Sequence, residues 1–188
     1  MGQFYTNYTL RGVDQAAAAE ALKGKKTFVS PMHNGCIVVS EEDSDTQDQE
    51  VIAKLAVHLS SSLHCAVLAL LIHDDDILWY QLYENGALRD QYDSTPGYFD
   101  FSGNSSDLPP AGGDALKLCS AFGSGDPSAI EGILREPFGG KYVFAGDRHA
   151  DLIQQLNLPK FAVGFSYRGT AEGFLPAGLK GEGIVSTS

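Results

Sequence analysis

The stretch CAVLALLIHDDDILWYQLYENGALRDQY, Cys65–Tyr92, reads as three consecutive strands joined by two tight turns. Cys65 to Ile72 is a run of eight apolar residues. That is strand length, and apolarity on both alternating faces belongs to a strand at the centre of a sheet. Ile77 to Tyr83 then alternates, with Ile77, Trp79, Gln81 and Tyr83 on one face and Leu78, Tyr80 and Leu82 on the other. Asn85-Gly86 is the dipeptide suited to a hairpin turn with two positive φ angles, and it returns the chain into Ala87 to Tyr92. Strands joined this tightly are antiparallel.

Upstream, Phe4, Thr6, Tyr8 and Leu10 alternate with Tyr5, Asn7 and Thr9, which predicts a strand over Gln3 to Leu10 closed by Gly12. Asp14 can cap a helix through Ala16 to Ala19 that Gly24 stops. Thr27 to Val29 reads as a short strand, and Asn34-Gly35 turns the chain back into Cys36 to Val39. Thr46-Gln47-Asp48-Gln49 has the capping-box spacing, and Val51, Ile52, Leu55, Leu59 and Leu63 mark the apolar face of the helix that follows. Residues 1–95 therefore read β-α-β-β-α-β-β-β. The expected class is α+β: a mainly antiparallel sheet with two helices on one face, ferredoxin-like in topology and extended at its edge.

Residues 96–113 break the periodicity with glycine, proline and serine and read as a long loop or linker. In 114–188 helical patterns return. Asp114 can cap a helix carrying Leu116, Leu118, Cys119 and Phe122. Asp126-Pro127 opens another with Ile130, Ile133 and Leu134 as its apolar face, and a third covers Asp147 to Leu156. Phe161 to Tyr167 reads as one last strand, and the glycine-rich tail shows little pattern. So short a helical portion is expected to pack on the first sheet as part of a single globular unit.

Of 188 residues, 43% are hydrophobic, enough for a packed core, and 24 Asp plus Glu against 13 Lys plus Arg leave a net charge of −11. A surface so acidic argues against binding a nucleic-acid backbone or an anionic membrane, and it suits a basic protein partner. Cys36, Cys65 and Cys119 are too few and too dispersed for a disulfide scaffold or a zinc site, and they fit free thiols in a reducing cytoplasm. No nucleophile elbow, P-loop or dinucleotide fingerprint occurs, so no cofactor is expected.

His73-Asp74-Asp75-Asp76 is the densest ionisable cluster. Crowded carboxylates beside an imidazole suit a hard divalent cation, with His73, Asp74 and Asp76 as its ligands. Crowding can also lift a carboxylate toward acid–base work, which makes His73 and Asp75 catalytic candidates, with His149 from the other half as a possible general base. The competing reading is turn chemistry, because Asp bonds its own backbone in turns and consecutive turn residues diverge. Turn chemistry is preferred, and no metal is favoured. Arg148-His149, beside Asp147 and Asp151, reads alternatively as a set of surface ion pairs. The run Glu41 to Asp45 reads as a solvated acidic lead into a helix, lacking the glycine and closing glutamate of a calcium loop.

A different kind of site is offered by Tyr92, Tyr98, Phe99 and Phe101, rings set among Pro and Gly beside Asp93 and Asp100. Rings framed by carboxylates suit protein recognition or a cationic ligand. The alternative is that they fold back over the sheet.

At FYTNYTLRG (Phe4–Gly12), HDDDILWYQLYENG (His73–Gly86) and YDSTPGYF (Tyr92–Phe99) the chain resembles a family of uncharacterised bacterial proteins of similar length. The likeness extends more loosely to LNLPKFAVGFSYRG (Leu156–Gly169) and so covers most of the chain. It implies a bacterial, single-chain, cytoplasmic protein and carries over no functional residues. The expected function is that of a non-enzymatic acidic binding or regulatory protein, immunity-like, recognising a protein partner. The alternatives are a metal-dependent enzyme or metal-binding module built on the HDDD turn, and a homo-oligomer joined through a strand edge or the aromatic loop.

Overall fold

The computed structural model describes residues 2–98, 108–137 and 139–188. The strands are β1 (Tyr5–Arg11), β2 (Thr27–Val29), β3 (Cys36–Glu41), β4 (Ala66–His73), β5 (Ile77–Glu84), β6 (Ala87–Asp93), β7 (Ala111–Gly112) and β8 (Val185–Thr187). They form one sheet of eight strands in the order β7-β6-β5-β4-β1-β3-β2-β8, antiparallel at every pairing. The segment β4-β1-β3-β2 is the ferredoxin-like arrangement, in which α1 (Gln15–Ala21) links β1 to β2 and α2 (Gln49–Ser62) links β3 to β4. The fold is α+β.

The two faces of the sheet bury different partners. On one, Tyr8, Leu10, Ile37, Val39, Val67, Leu71 and Trp79 pack under α1 and α2. On the other, Leu68, Leu70, Ile72, Leu78, Tyr80, Leu82 and Tyr92 pack under α3 (Ala115–Phe122), α4 (Pro127–Arg135) and α5 (Ala145–Gln155). That double coverage is why β4 is apolar from Ala66 to Ile72. Each such side chain contributes about 1.5–3 kcal/mol on burial, so both layers are needed to hide the sheet.

Three local expectations need correction. The cap of α2 is Asp48, whose carboxylate accepts from Glu50 N–H at 2.8 Å and Val51 N–H at 3.3 Å. Thr46 instead ends a short 3-10 turn, Asp43–Thr46, which Gln47 closes with φ 62°. The acidic lead into α2 is also not wholly solvated. Glu41 is buried, accepting from Lys25 Nζ at 3.0 Å and from Ser44 N–H at 2.9 Å.

Phe161 to Tyr167 is not a strand but a 3-10 turn, Lys160–Ala162, followed by α6 (Tyr167–Ala171). Gly164, with φ 83°, breaks the extended run, and Ser166 caps α6 by accepting from Gly169 N–H at 3.0 Å. The last strand lies instead in the glycine-rich tail, as β8, paired to β2 at the sheet edge.

Candidate functional site

Strand register brings several connections to one end of the sheet. Tyr5 faces Ile72, Thr27 faces Glu41, His73 faces Ile77 and Trp79 faces Asp93. The start of β1, the end of β3, the β4–β5 turn and the end of β6 therefore lie side by side.

The β4–β5 turn is the HDDD sequence. Asp74 and Asp75 have φ of 50° and 60°, and Asp76 N–H donates to His73 O at 3.0 Å, as in a hairpin turn of the primed type. Asp is one of the few residues that accept such angles cheaply. The three carboxylates then part. Asp74 accepts from Gly2 N–H at 3.2 Å, Asp75 accepts from Gln3 N–H at 3.0 Å, and Asp76 lies 3.4 Å from the donating Tyr98 hydroxyl. The Asp75 backbone is used as well: its N–H donates to Gln3 O at 3.2 Å and its carbonyl accepts from Ala145 N–H, at the start of α5, at 2.6 Å. The turn is thus stitched to the amino-terminal segment and to α5 together.

His73 does not join these carboxylates. Its Nδ1 is 2.6 Å from Gln47 Oε1, and its ring lies edge-on to Phe4, with centroids 4.9 Å apart, and to Tyr98, at 5.8 Å. Among the described residues no group of three or more His, Cys, Asp or Glu is placed to hold a metal ion. Successive side chains of a tight turn leave it in different directions, so His73, Asp74 and Asp76 do not converge.

His149 is distant in character from these groups. It is 1% exposed, on the inner face of α5, with Nδ1 2.8 Å from the Tyr5 hydroxyl. Burial lowers its pKa from 6.5 to about 3 and pushes that of Tyr5 upward. The surface ion-pair reading of Arg148-His149 is therefore corrected, since both side chains are interior. Arg148 donates to the Tyr92 hydroxyl at 2.8 Å and to the carbonyls of Ile133 and Glu136, each at 2.7 Å, and lies 4.8 Å from the Tyr142 ring centroid. None of the ion pairs among the described residues reaches it.

The expected aromatic surface is rearranged. Tyr92 is buried, stacked on Tyr80 with centroids 5.4 Å apart and donating to Leu134 O at 2.9 Å, so it is a core ring and not a surface one. Burial raises its pKa to about 12. Asp93 is half-buried and accepts from Thr95 N–H at 2.8 Å, and burial raises its pKa. Phe99, Asp100 and Phe101 lie outside the described residues. Tyr98 does reach the surface, and it does so at the HDDD turn. The structure thereby joins two features that the sequence presents separately.

Other apolar side chains complete that end. Phe4 is 51% exposed, Val143 60%, Phe144 54% and Tyr98 36%. Phe4 and Tyr98 flank His73 on the α2 side of the turn, and Val143-Phe144 immediately precede Ala145 on the other. Val143-Phe144 carried no cap signal: α5 starts at Ala145, two residues before the Asp147 start expected from sequence, and its N-cap Phe144 makes no side-chain cap. A cavity of about 290 Å³ opens beside the same end, lined by Gln49, Trp79, Gln91, Asp93 and Gly112.

Charge is unbalanced here. Nine of the 13 Lys and Arg are held in ion pairs among the described residues, and none of those pairs reaches Asp43, Asp48, Asp74, Asp75, Asp76 or Asp93. The arrangement is a negative rim around exposed rings. It can desolvate an apolar contact while attracting cations. Comparisons of the chain with protein-family models, with curated proteins and with solved structures returned no match.

Proposed function

We propose that this chain is a non-enzymatic binding protein that recognises a basic protein partner through the acidic, aromatic end of its sheet. The observation that carries the reading is the exposure of Phe4, Tyr98, Val143 and Phe144 around Asp74, Asp75 and Asp76. Exposed apolar groups clustered within a polar rim mark interaction surfaces. Uncompensated carboxylates steer a cationic partner toward them and select against anionic ones. A role in neutralising a basic protein, immunity-like, follows from that chemistry. The three free cysteines fit a reducing cytoplasm.

The test is capture from an extract of the source organism on the immobilised chain, eluted with a salt gradient. The full chain is compared with Asp74→Asn/Asp76→Asn and Phe4→Ala/Phe144→Ala. The expected result is a discrete basic polypeptide that each double variant holds at least about tenfold more weakly, a loss of ~1.4 kcal/mol. Equal retention by both variants contradicts the reading. So does a chain that self-associates through Phe4 and Phe144, because this end would then be a contact between copies.

A further inference from the structure

The helix that carries one wall of the docking surface is fastened by a buried histidine. Val143 and Phe144 enter α5, Ala145 N–H is tied to Asp75 O at 2.6 Å, and one turn further His149 meets Tyr5 at 2.8 Å. We propose that His149 is an acid-sensitive latch: protonation of its ring releases the start of α5 from the sheet and dismantles the Val143–Phe144 wall. The effect on binding rests on the reading above; the release itself does not.

The surroundings of the ring show why the charge would be costly. Its hydrogen-bond partner on β1 is a phenol, and the same core holds the further buried phenols Tyr80 on β5 and Tyr92 on β6. On its own helix, Arg148 is another buried cation, Asp147 is exposed, and Asp151 is engaged by Lys141 Nζ at 2.6 Å and the Tyr142 hydroxyl at 2.7 Å. From α4 come Arg135 and Glu131, paired with each other at 2.7 Å on the surface, and from the adjoining 3-10 turn comes exposed Lys160. Asp75, from the β4–β5 turn, is the nearby acid, close enough for its charge to raise Tyr5; its Oδ2 accepts from Gln3 N–H, and its Oδ1 is buried beside Gly146 of α5 without a hydrogen-bond partner among the described residues. An imidazolium formed here would sit in the core with no carboxylate hydrogen-bonded to it among the described residues.

The sign of the linkage follows. Burial lowers His149 from 6.5 to about 3, so the released state binds the proton more tightly. The closed form is fully favoured above about pH 6.5 and loses up to about tenfold in population ratio for each pH unit below it, toward the native value. Asp151, held below the usual carboxylate range by its hydrogen bond from Lys141, acts only at the acid end of that window.

The experiment is a titration of the full chain from about pH 7.5 to about pH 4, following tyrosine near-ultraviolet and peptide far-ultraviolet circular dichroism. Wild type is expected to lose tyrosine signal within this range while strand signal persists. In His149→Gln the midpoint falls by at least about one pH unit. A wild-type chain with no transition, or an unchanged midpoint in a folded His149→Gln, overturns the latch. Should His149→Gln not fold, Tyr5→Phe decides. It keeps the imidazole and removes the phenol hydroxyl that holds Nδ1, so the midpoint should rise, and a midpoint that stays or falls overturns the proposal. No partner enters this readout, so its failure leaves the binding reading standing.

Discussion

Arg148 illustrates how one residue can hold two layers together. Its guanidinium spans Tyr92 on β6, the end of α4 at Ile133 and the following loop at Glu136. A planar fork with several donors can satisfy such divergent acceptors, whereas an ammonium on a flexible stem cannot match the geometry. Arg148→Ala strips these acceptors of a donor inside the core and is expected to cost about 3 kcal/mol, with Arg148→Lys recovering only part of it. Urea denaturation monitored by circular dichroism checks both. The burial of Arg148 and His149 was legible in principle. Ala145, Arg148, His149, Leu152, Ile153 and Leu156 form one buried stripe at helical spacing, and stepping back from Leu152 and Ile153 lands on the two polar residues. What hides it is residue type. An Arg-His pair flanked by two Asp looks solvated until the phenols that receive it are known, and those come from Tyr5 and Tyr92, far away in sequence.

At the scale of elements, the strands with alternation or tight turns were readable, and so were the helices opened by Asp14, Asp114 and Asp126, each of which accepts from the first turn. The failures share a cause. Phe161 to Tyr167 has strand-like composition, yet Gly164 and Ser166 dictate the local backbone. β8 is too short to show a period, and its pairing is set by partners more than 150 residues upstream. Thr187 anchors it, with its hydroxyl 2.7 Å from Thr27 Oγ1 and 2.6 Å from Lys25 O. Thr187→Val keeps the branched shape and loses those bonds, so it should destabilise the fold by about 1 kcal/mol, read as a lower urea midpoint at unchanged slope. The same edge bears on self-association. β7 and β8 terminate the sheet with only two and three residues, which limits strand pairing between copies.

For the molecule as a whole, topology was more legible than the site. A β-α-β-β-α-β order followed by a meander admits few antiparallel arrangements, and the excess of carboxylates was visible from composition. The proposed docking surface was only half visible, because it is assembled from four separated pieces: Phe4, the His73–Asp76 turn, Tyr98 and Val143–Phe144. The sequence names the turn and Tyr98 for different reasons, and only the sheet register places them together. On the proposed function, such a surface would divide the labour of binding: its carboxylates would govern the approach of a basic partner, and its rings how long the complex lasts. The decisive measurement is the association and dissociation rate of the captured basic partner across a range of ionic strength. The association rate is expected to fall steeply with salt and to be both lower and less salt-dependent in Asp74→Asn/Asp76→Asn. Phe4→Ala/Phe144→Ala is expected to leave association nearly unchanged and to speed dissociation about tenfold or more. An association rate indifferent to salt, or rates untouched by both variants, would contradict the proposed function.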